Sequence, residues 1–148
     1  MTSPKTLVLL AGLAALPLAA AEGKIAIRSA PAAVQATVKQ ETATATLVGL
    51  SKEVENGKTL FELETRKGGH SRDLMIAEDG AIVSVEEEVA LDSVPPEVKA
   101  ALVRKAAGGR ISKVEAVTEN GTTGYEAAMV VHGKKLEFSV DAQGKPKK

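Results

Sequence analysis

The chain has no cysteine and no tryptophan, and its aromatic side chains are one tyrosine and two phenylalanines. Without cysteine there is no disulfide, no thiol nucleophile and no thiolate metal site, so stability has to come from packing. No charge of one sign dominates: 19 Lys and Arg stand against 19 Asp and Glu, and neither half departs far from neutrality. A nucleic-acid surface needs a basic stripe with aromatic rings on which bases stack. The short tail Lys145-Pro146-Lys147-Lys148 reads as a solvated end, and nucleic acid is excluded as a partner.

A hydrophobic run long enough to span a bilayer, about 20 apolar residues, is also missing. Residues 6–20 are apolar but are interrupted by Gly12 and Pro17. They follow a short start containing Lys5 and run into Ala19-Ala20-Ala21, an A-x-A cleavage pattern. This arrangement predicts a signal peptide over residues 1–21, cleaved after Ala21. The expectation is a periplasmic or secreted protein with no stable membrane anchor after cleavage, and no cysteine for a lipid.

What the sequence does contain is a self-similarity. Residues 54–62 read VENGKTLFE and residues 118–126 read TENGTTGYE, 64 positions later. The same offset places SAPAAVQATV (29–38) over SVPPEVKAAL (93–102), with no gap. The period is too long for a common solenoid unit, and predicts a duplicated module, residues 22–85 and 86–148. In each copy a serine (Ser29, Ser93) followed by a proline (Pro31, Pro95) predicts a capped helix start. Val98, Ala101, Leu102 and Lys105 then recur at helical spacing, and Gly108-Gly109 ends the helix.

Extended runs flank Asn56-Gly57 and Asn120-Gly121, the strongest short hairpin signal, because a type I′ turn needs positive φ at both centres. Phe61, Leu63 and Thr65 alternate with Glu62, Glu64 and Arg66. In the second copy Tyr125, Ala127, Met129 and Val131 alternate with Glu126, Ala128 and Val130. Period two with one apolar face means a half-buried antiparallel sheet, with the helix as its cover. The predicted fold class is α+β: two tandem repeats, each one helix packed on a three- to four-stranded antiparallel sheet. The first copy gains a fourth strand over 81–87. The second has Pro146, Lys147 and Lys148 at that place, and the segment KIAIR (24–28) is expected to pair there or nearby.

The elements SxPxxV, the E-N-G turn, the following (F/Y)-E and the turn at Asp79-Gly80, with EDGAIVSVEEE and VPPEVKAAL, resemble the PepSY-like family, whose members are described as beta-lactamase-inhibitor-like. The resemblance covers nearly all of 22–148. It implies a secreted or periplasmic, non-enzymatic protein. The inhibitor that gives the group its name is similar in architecture, presenting a sheet to an enzyme, and PepSY modules are associated with restraint of peptidases. This chain departs from that inhibitor's aromatic-rich binding face, since Phe61, Tyr125 and Phe138 all fall on faces assigned to the core.

Catalytic chemistry finds no support in the pattern. His70 and His132 are not aligned between the copies and lack a second ligand or nucleophile nearby, so they read as turn residues. Glu86-Glu87-Glu88 alternate sides along a strand and do not converge as a calcium loop does; they read as a solvated strand end. Glu62 and Glu126 lie in different copies, not in one cleft. Asn120-Gly121-Thr122 fits the glycan acceptor pattern, but turn chemistry already accounts for Asn-Gly. No catalytic residue, cofactor site or metal site is expected. The expected function is an exported protein-binding module, of the kind that inhibits a hydrolase such as a peptidase or beta-lactamase, whose partner is another envelope or secreted protein. Its contact residues would be Glu62, Glu64, Arg66, Glu126, Ala128 and Val130. The alternative is a structural or small-ligand-binding envelope protein without an enzyme target.

Overall fold

Residues 23–147 are described in a computed structural model; the expected signal peptide lies outside the described residues. Local chemistry sets the hairpins. Asn56 and Gly57 have φ of 49° and 75°, and Asn120 and Gly121 have 49° and 76°. These are the positive values that a type I′ turn requires and that asparagine and glycine tolerate. The turns join β2 (Thr46–Glu55) to β3 (Lys58–Lys67), and β6 (Arg110–Glu119) to β7 (Thr122–Val131). Further turns lead into β4 (His70–Ala77), β5 (Ile82–Glu88) and β8 (Lys134–Asp141). The expected strand over 81–87 is thus present as β5.

Two helices, α1 (Ala32–Glu41) and α2 (Pro96–Ala106), follow single 3-10 turns at Ile27–Ser29 and Leu91–Ser93. Their start differs from the expected one. The capping positions are held by Pro31 and Pro95, with no side-chain cap at either, and the Ser93 hydroxyl instead donates to the Ala90 carbonyl at 2.7 Å. The serines belong to the 3-10 turns. Proline suits the boundary because its fixed φ leads into a helix and it has no N–H to satisfy.

All the described strands join one eight-stranded antiparallel sheet in the order β1 (Gly23–Lys24) to β8. This corrects the predicted fold class of two repeats, each with its own helix on its own sheet. The 85/86 division falls inside β5, which pairs with β4 along one edge and with β6 along the other. The bounds of β6, β7 and β8 do lie 64 residues after those of β2, β3 and β4, but these are halves of one sheet. The physical reason is the edge. A separate first sheet would leave the N–H and C=O groups of β5 unpaired, whereas pairing them with β6 removes two edges together.

The segment at 24–28 is corrected as well. β1 (Gly23–Lys24) pairs with Ser51 and Lys52 of β2, at the edge opposite β8. The route from β1 through a 3-10 turn and α1 to β2 is the one that β5 takes through α2 to β6. The outer edge of β8 is instead blunted by the chain end, where Pro146 bridges Val140 and the Lys147 N–H donates to the Ser139 carbonyl at 2.9 Å.

Both helices pack on the same face of the sheet. Val34 and Val38 of α1 meet Leu50, Phe61, Leu63, Leu74 and Ile76. Val98, Ala101, Leu102 and Ala106 of α2 meet Val114, Ala127, Met129 and Val140. The strand residues in these clusters alternate, as one buried face of an antiparallel sheet demands. The layer between is thin enough to require glycine at two turns. At Gly80 (φ 85°) an added Cβ would lie 2.7 Å from the Ala33 carbonyl oxygen, and at Gly144 (φ 74°) it would collide with the Glu97 carbonyl. The Thr37 hydroxyl donates to the Gly80 carbonyl at 2.7 Å, tying α1 to the β4–β5 turn.

Candidate functional site

With both helices on one side, no described helix covers the opposite, open face of the sheet, where Ser71, Asp73, Met75 and Ser84 are nonetheless buried, and strand alternation decides what stands on it. Glu62 and Glu64 project from β3 onto this face, opposite Met75 and Asp73 of β4. Arg66 is exposed on the same face, and its guanidinium donates to the Gly69 carbonyl at 3.4 Å. Glu126, Ala128 and Val130 project from β7, opposite Glu115, Lys113 and Arg110 of β6. The six residues singled out in the sequence therefore share one face but form two groups. Three strands lie between β3 and β7, so the groups are about 19 Å apart at about 4.8 Å per strand spacing.

The middle of the face is built by residues outside the six expected contact residues. Asp73, Glu86, Glu88 and Glu115 come from β4, β5 and β6 and fill the gap between the two groups. Glu86 pairs in register with Asp73, and Glu88 with Glu115. The reading of 86–88 as a solvated strand end is corrected here: Glu86 and Glu88 are half-buried, and Glu87 alone turns to the helix side. The signal was present in the alternation itself, but it acquires meaning only once β5 is an interior strand.

Each carboxylate has its own surroundings. Glu88 accepts from the Ser71 N–H and hydroxyl, both at 3.3 Å, and the N–H bond above all holds its carboxyl below the usual range. Glu115 is ion-paired with Lys113. The Ser139 hydroxyl donates to Glu126 at 2.7 Å. Glu86 is raised to about 7, first by burial and then by Glu115, Glu126, Asp73 and Glu62. Burial and neighbouring like charge both favour the neutral form of a carboxyl. Glu137 on β8 is raised in the same sense, by burial first and then by Glu126 and Glu115. A small pocket sits at the centre, lined by Glu62, Asp73, Leu74, Met75, Ser84 and Glu86.

Chemically the face is an acidic, hydrogen-bonding surface. Among the described residues no group of three or more histidines and carboxylates is arranged to hold a metal ion, and none of their helices is long and apolar enough to cross a membrane. His132 (φ 51°) sits in the β7–β8 turn, while His70 opens β4, with Nδ1 3.9 Å from Glu88. Phe61, Tyr125 and Phe138 all pack in the helix-side clusters. Since these are the only phenylalanine and tyrosine side chains and there is no tryptophan, the open face of the described residues carries none of these rings.

No family profile matches the chain, and no curated protein matches it. Solved structures do. A DUF2874 family protein from Bacteroides ovatus is similar with a TM-score of 0.63 at 20% identity, over 80% of this chain and 85% of that one. A protein from Bacteroides eggerthii described as periplasmic gives 0.65 at 19%, over 80% and 86%. A BLIP-like protein from Bacteroides fragilis gives 0.60 at 15%, over 80% and 84%. The chain therefore has a fold like that of BLIP-like and DUF2874 proteins.

Proposed function

We propose that this chain is an exported, non-enzymatic protein-binding module that meets its partner through the open face of the sheet. The observation that carries this reading is the one-sided cover: both helices pack on one face of the sheet, and no described helix covers the other. The periplasmic description of one similar structure and the apolar start of the chain support export. The likeness to a BLIP-like protein and the PepSY-like motifs favour a hydrolase, such as a peptidase or beta-lactamase, as the partner. The binding would differ in kind from an aromatic-anchored interface, because aromatic hot spots have no counterpart on this face.

The test compares proteins retained from an envelope extract by the wild type, by Glu62→Lys/Glu126→Lys on the open face, and by Val103→Lys on the exposed outer side of α2. A protein retained by the wild type and the α2 variant, but lost with the face variant, is the expected result. Equal retention by the two variants, or no retained protein at all, overturns the assignment of the face. Inhibition assays on the retained partner then decide whether binding restrains a hydrolase.

A further inference from the structure

β2 and β6 begin with the same backbone geometry. Each has a bulge near its start, between Leu47 and Gly49 in β2 and between Ile111 and Lys113 in β6. In each, the strand alongside arrives only after the bulge. β1 pairs with Ser51 and Lys52, and the Ile25 N–H donates to the Leu50 carbonyl at 2.9 Å. β5 pairs with β6 from Glu115 to Glu119, and the Val89 N–H donates to the Val114 carbonyl at 2.9 Å. Among the described strands, none pairs with the outer side of residues 46–49 or of residues 110–113.

The side chains on these two segments differ. β6 carries Arg110 and Lys113 on its uncovered start, and the Ser112 hydroxyl at its bulge donates to the Ala128 carbonyl at 2.9 Å. Charge on a free edge discourages a further strand. The residues 64 positions earlier are Thr46, Gly49 and Val48. From Thr42 to Ser51 the chain has no charged residue and no proline, the composition of a segment that pairs readily in extended form. Leu47 is 40% exposed and Val48 50%, so two large apolar side chains stand next to each other in water on one edge. The opposite edge of the sheet is guarded: β8 begins with Lys134 and Lys135, and the chain end crosses it where Pro146 bridges Val140.

We propose that residues 46–49 of β2 are a self-pairing edge, at which a second copy of this chain docks antiparallel across a two-fold axis, with Leu47 of each copy beside Val48 of the other. A two-fold contact sets a segment against itself, and like charges directly opposite one another in a sheet are destabilising. The start of β2 meets that condition, whereas the start of β6 and the edge of β8 carry cations. The added strand takes up backbone N–H and C=O groups along the edge and removes both apolar side chains from water. Because β1 already holds Ser51 and Lys52, the pairing is short, and the dimer is weak and concentration-dependent. It extends the sheet sideways and leaves the open face of each copy uncovered, so it stands independently of the partner contact proposed for that face.

Sedimentation equilibrium of the purified protein between about 1 μM and about 1 mM tests the pairing. The wild type is expected to pass from monomer to dimer over that range. Val48→Lys should weaken the dimer by at least about tenfold, and Val103→Lys, on the exposed side of α2, should leave it unchanged. A wild type that stays monomeric, a dimer that Val48→Lys does not weaken, or equal weakening by both variants overturns the proposal. Hydrogen exchange of the wild type gives a reading without a substitution: amides within residues 46–49 are expected to exchange more slowly at the high end of the range. Slowing on β8 in place of β2 overturns the assignment of the edge. Protection of residues 46–49 that appears only when another envelope protein is added gives the edge a different occupant and overturns self-pairing.

Discussion

The two halves of the sheet solve one packing problem with the bulk placed differently. In the first half α1 buries only Val34 and Val38, and the strands supply Leu50, Phe61, Leu63, Leu74 and Ile76. In the second half α2 buries Val98, Ala101, Leu102 and Ala106, and the positions 64 residues after Leu50 and Leu63 are Val114 and Ala127. Val38 becomes Leu102 while Leu63 becomes Ala127, so at these positions volume moves from strand to helix. Thr65, whose hydroxyl donates to the Arg72 carbonyl, becomes Met129. Interiors are packed to a nearly constant density, and the comparison teaches that the filled space between helix and sheet is kept while the residues filling it are exchanged.

The helix ends differ in kind. Glu41, near the end of α1, is ion-paired with Arg72 of β4 at 2.8 Å, and both side chains are mostly buried. The position 64 residues after Glu41 is Lys105, whose ammonium lies 5.1 Å from the centre of the Phe138 ring. A charge pair in one half is replaced by a cation over a ring in the other.

Three pairs of substitutions sharpen or break this comparison. The largest effect is expected in the core: Leu63→Ala and Leu102→Ala should each cost about 2–5 kcal/mol. Because the sheet is continuous, both should lower one cooperative urea transition. Two transitions, each sensitive to one variant, would break the picture of a single sheet. Next come the turns beneath the helices. Gly80→Ala and Gly144→Ala each force a side chain into a positive φ and against a helix carbonyl, with an expected loss of about 1–3 kcal/mol in the same measurement. A neutral result would show that the two helices are not pressed onto these turns. The smallest pair separates the helix ends. Arg72→Ala should cost about 2 kcal/mol, as loss of a largely buried charged hydrogen bond. Lys105→Ala should cost no more than about 1 kcal/mol. Thermal unfolding that ranks Lys105 above Arg72 would reverse the assignment of the tighter end.

How much of this was legible depends on the distance over which each feature is decided. Asn56-Gly57 and Asn120-Gly121 announce their turns because the required φ values are a property of two adjacent residues. The alternation from Phe61 to Arg66 and from Tyr125 to Val130 separates core from open face because side chains change sides at each step along a strand. The capping serines were misread because the prolines two residues on carry the helix start, and only the path of the 3-10 turns shows it. Glu86 was misread for a different reason: nothing within the stretch 81–88 says that a second strand will pair along its outer edge.

The sequence by itself determined the hairpins, the helices and the side of the sheet on which each residue of β3 and β7 falls, since all of these follow from backbone preference and short-range periodicity. Only the tertiary structure decided that β5 joins β6, that KIAIR lies at the far edge, and that Asp73, Glu86, Glu88 and Glu115 bridge the two groups of expected contact residues. Strand pairing satisfies backbone groups from segments far apart in the chain, and one edge can accept any extended partner. Which partner it takes is settled by the competition among all edges at once, and the acidic middle of the open face is a product of that choice.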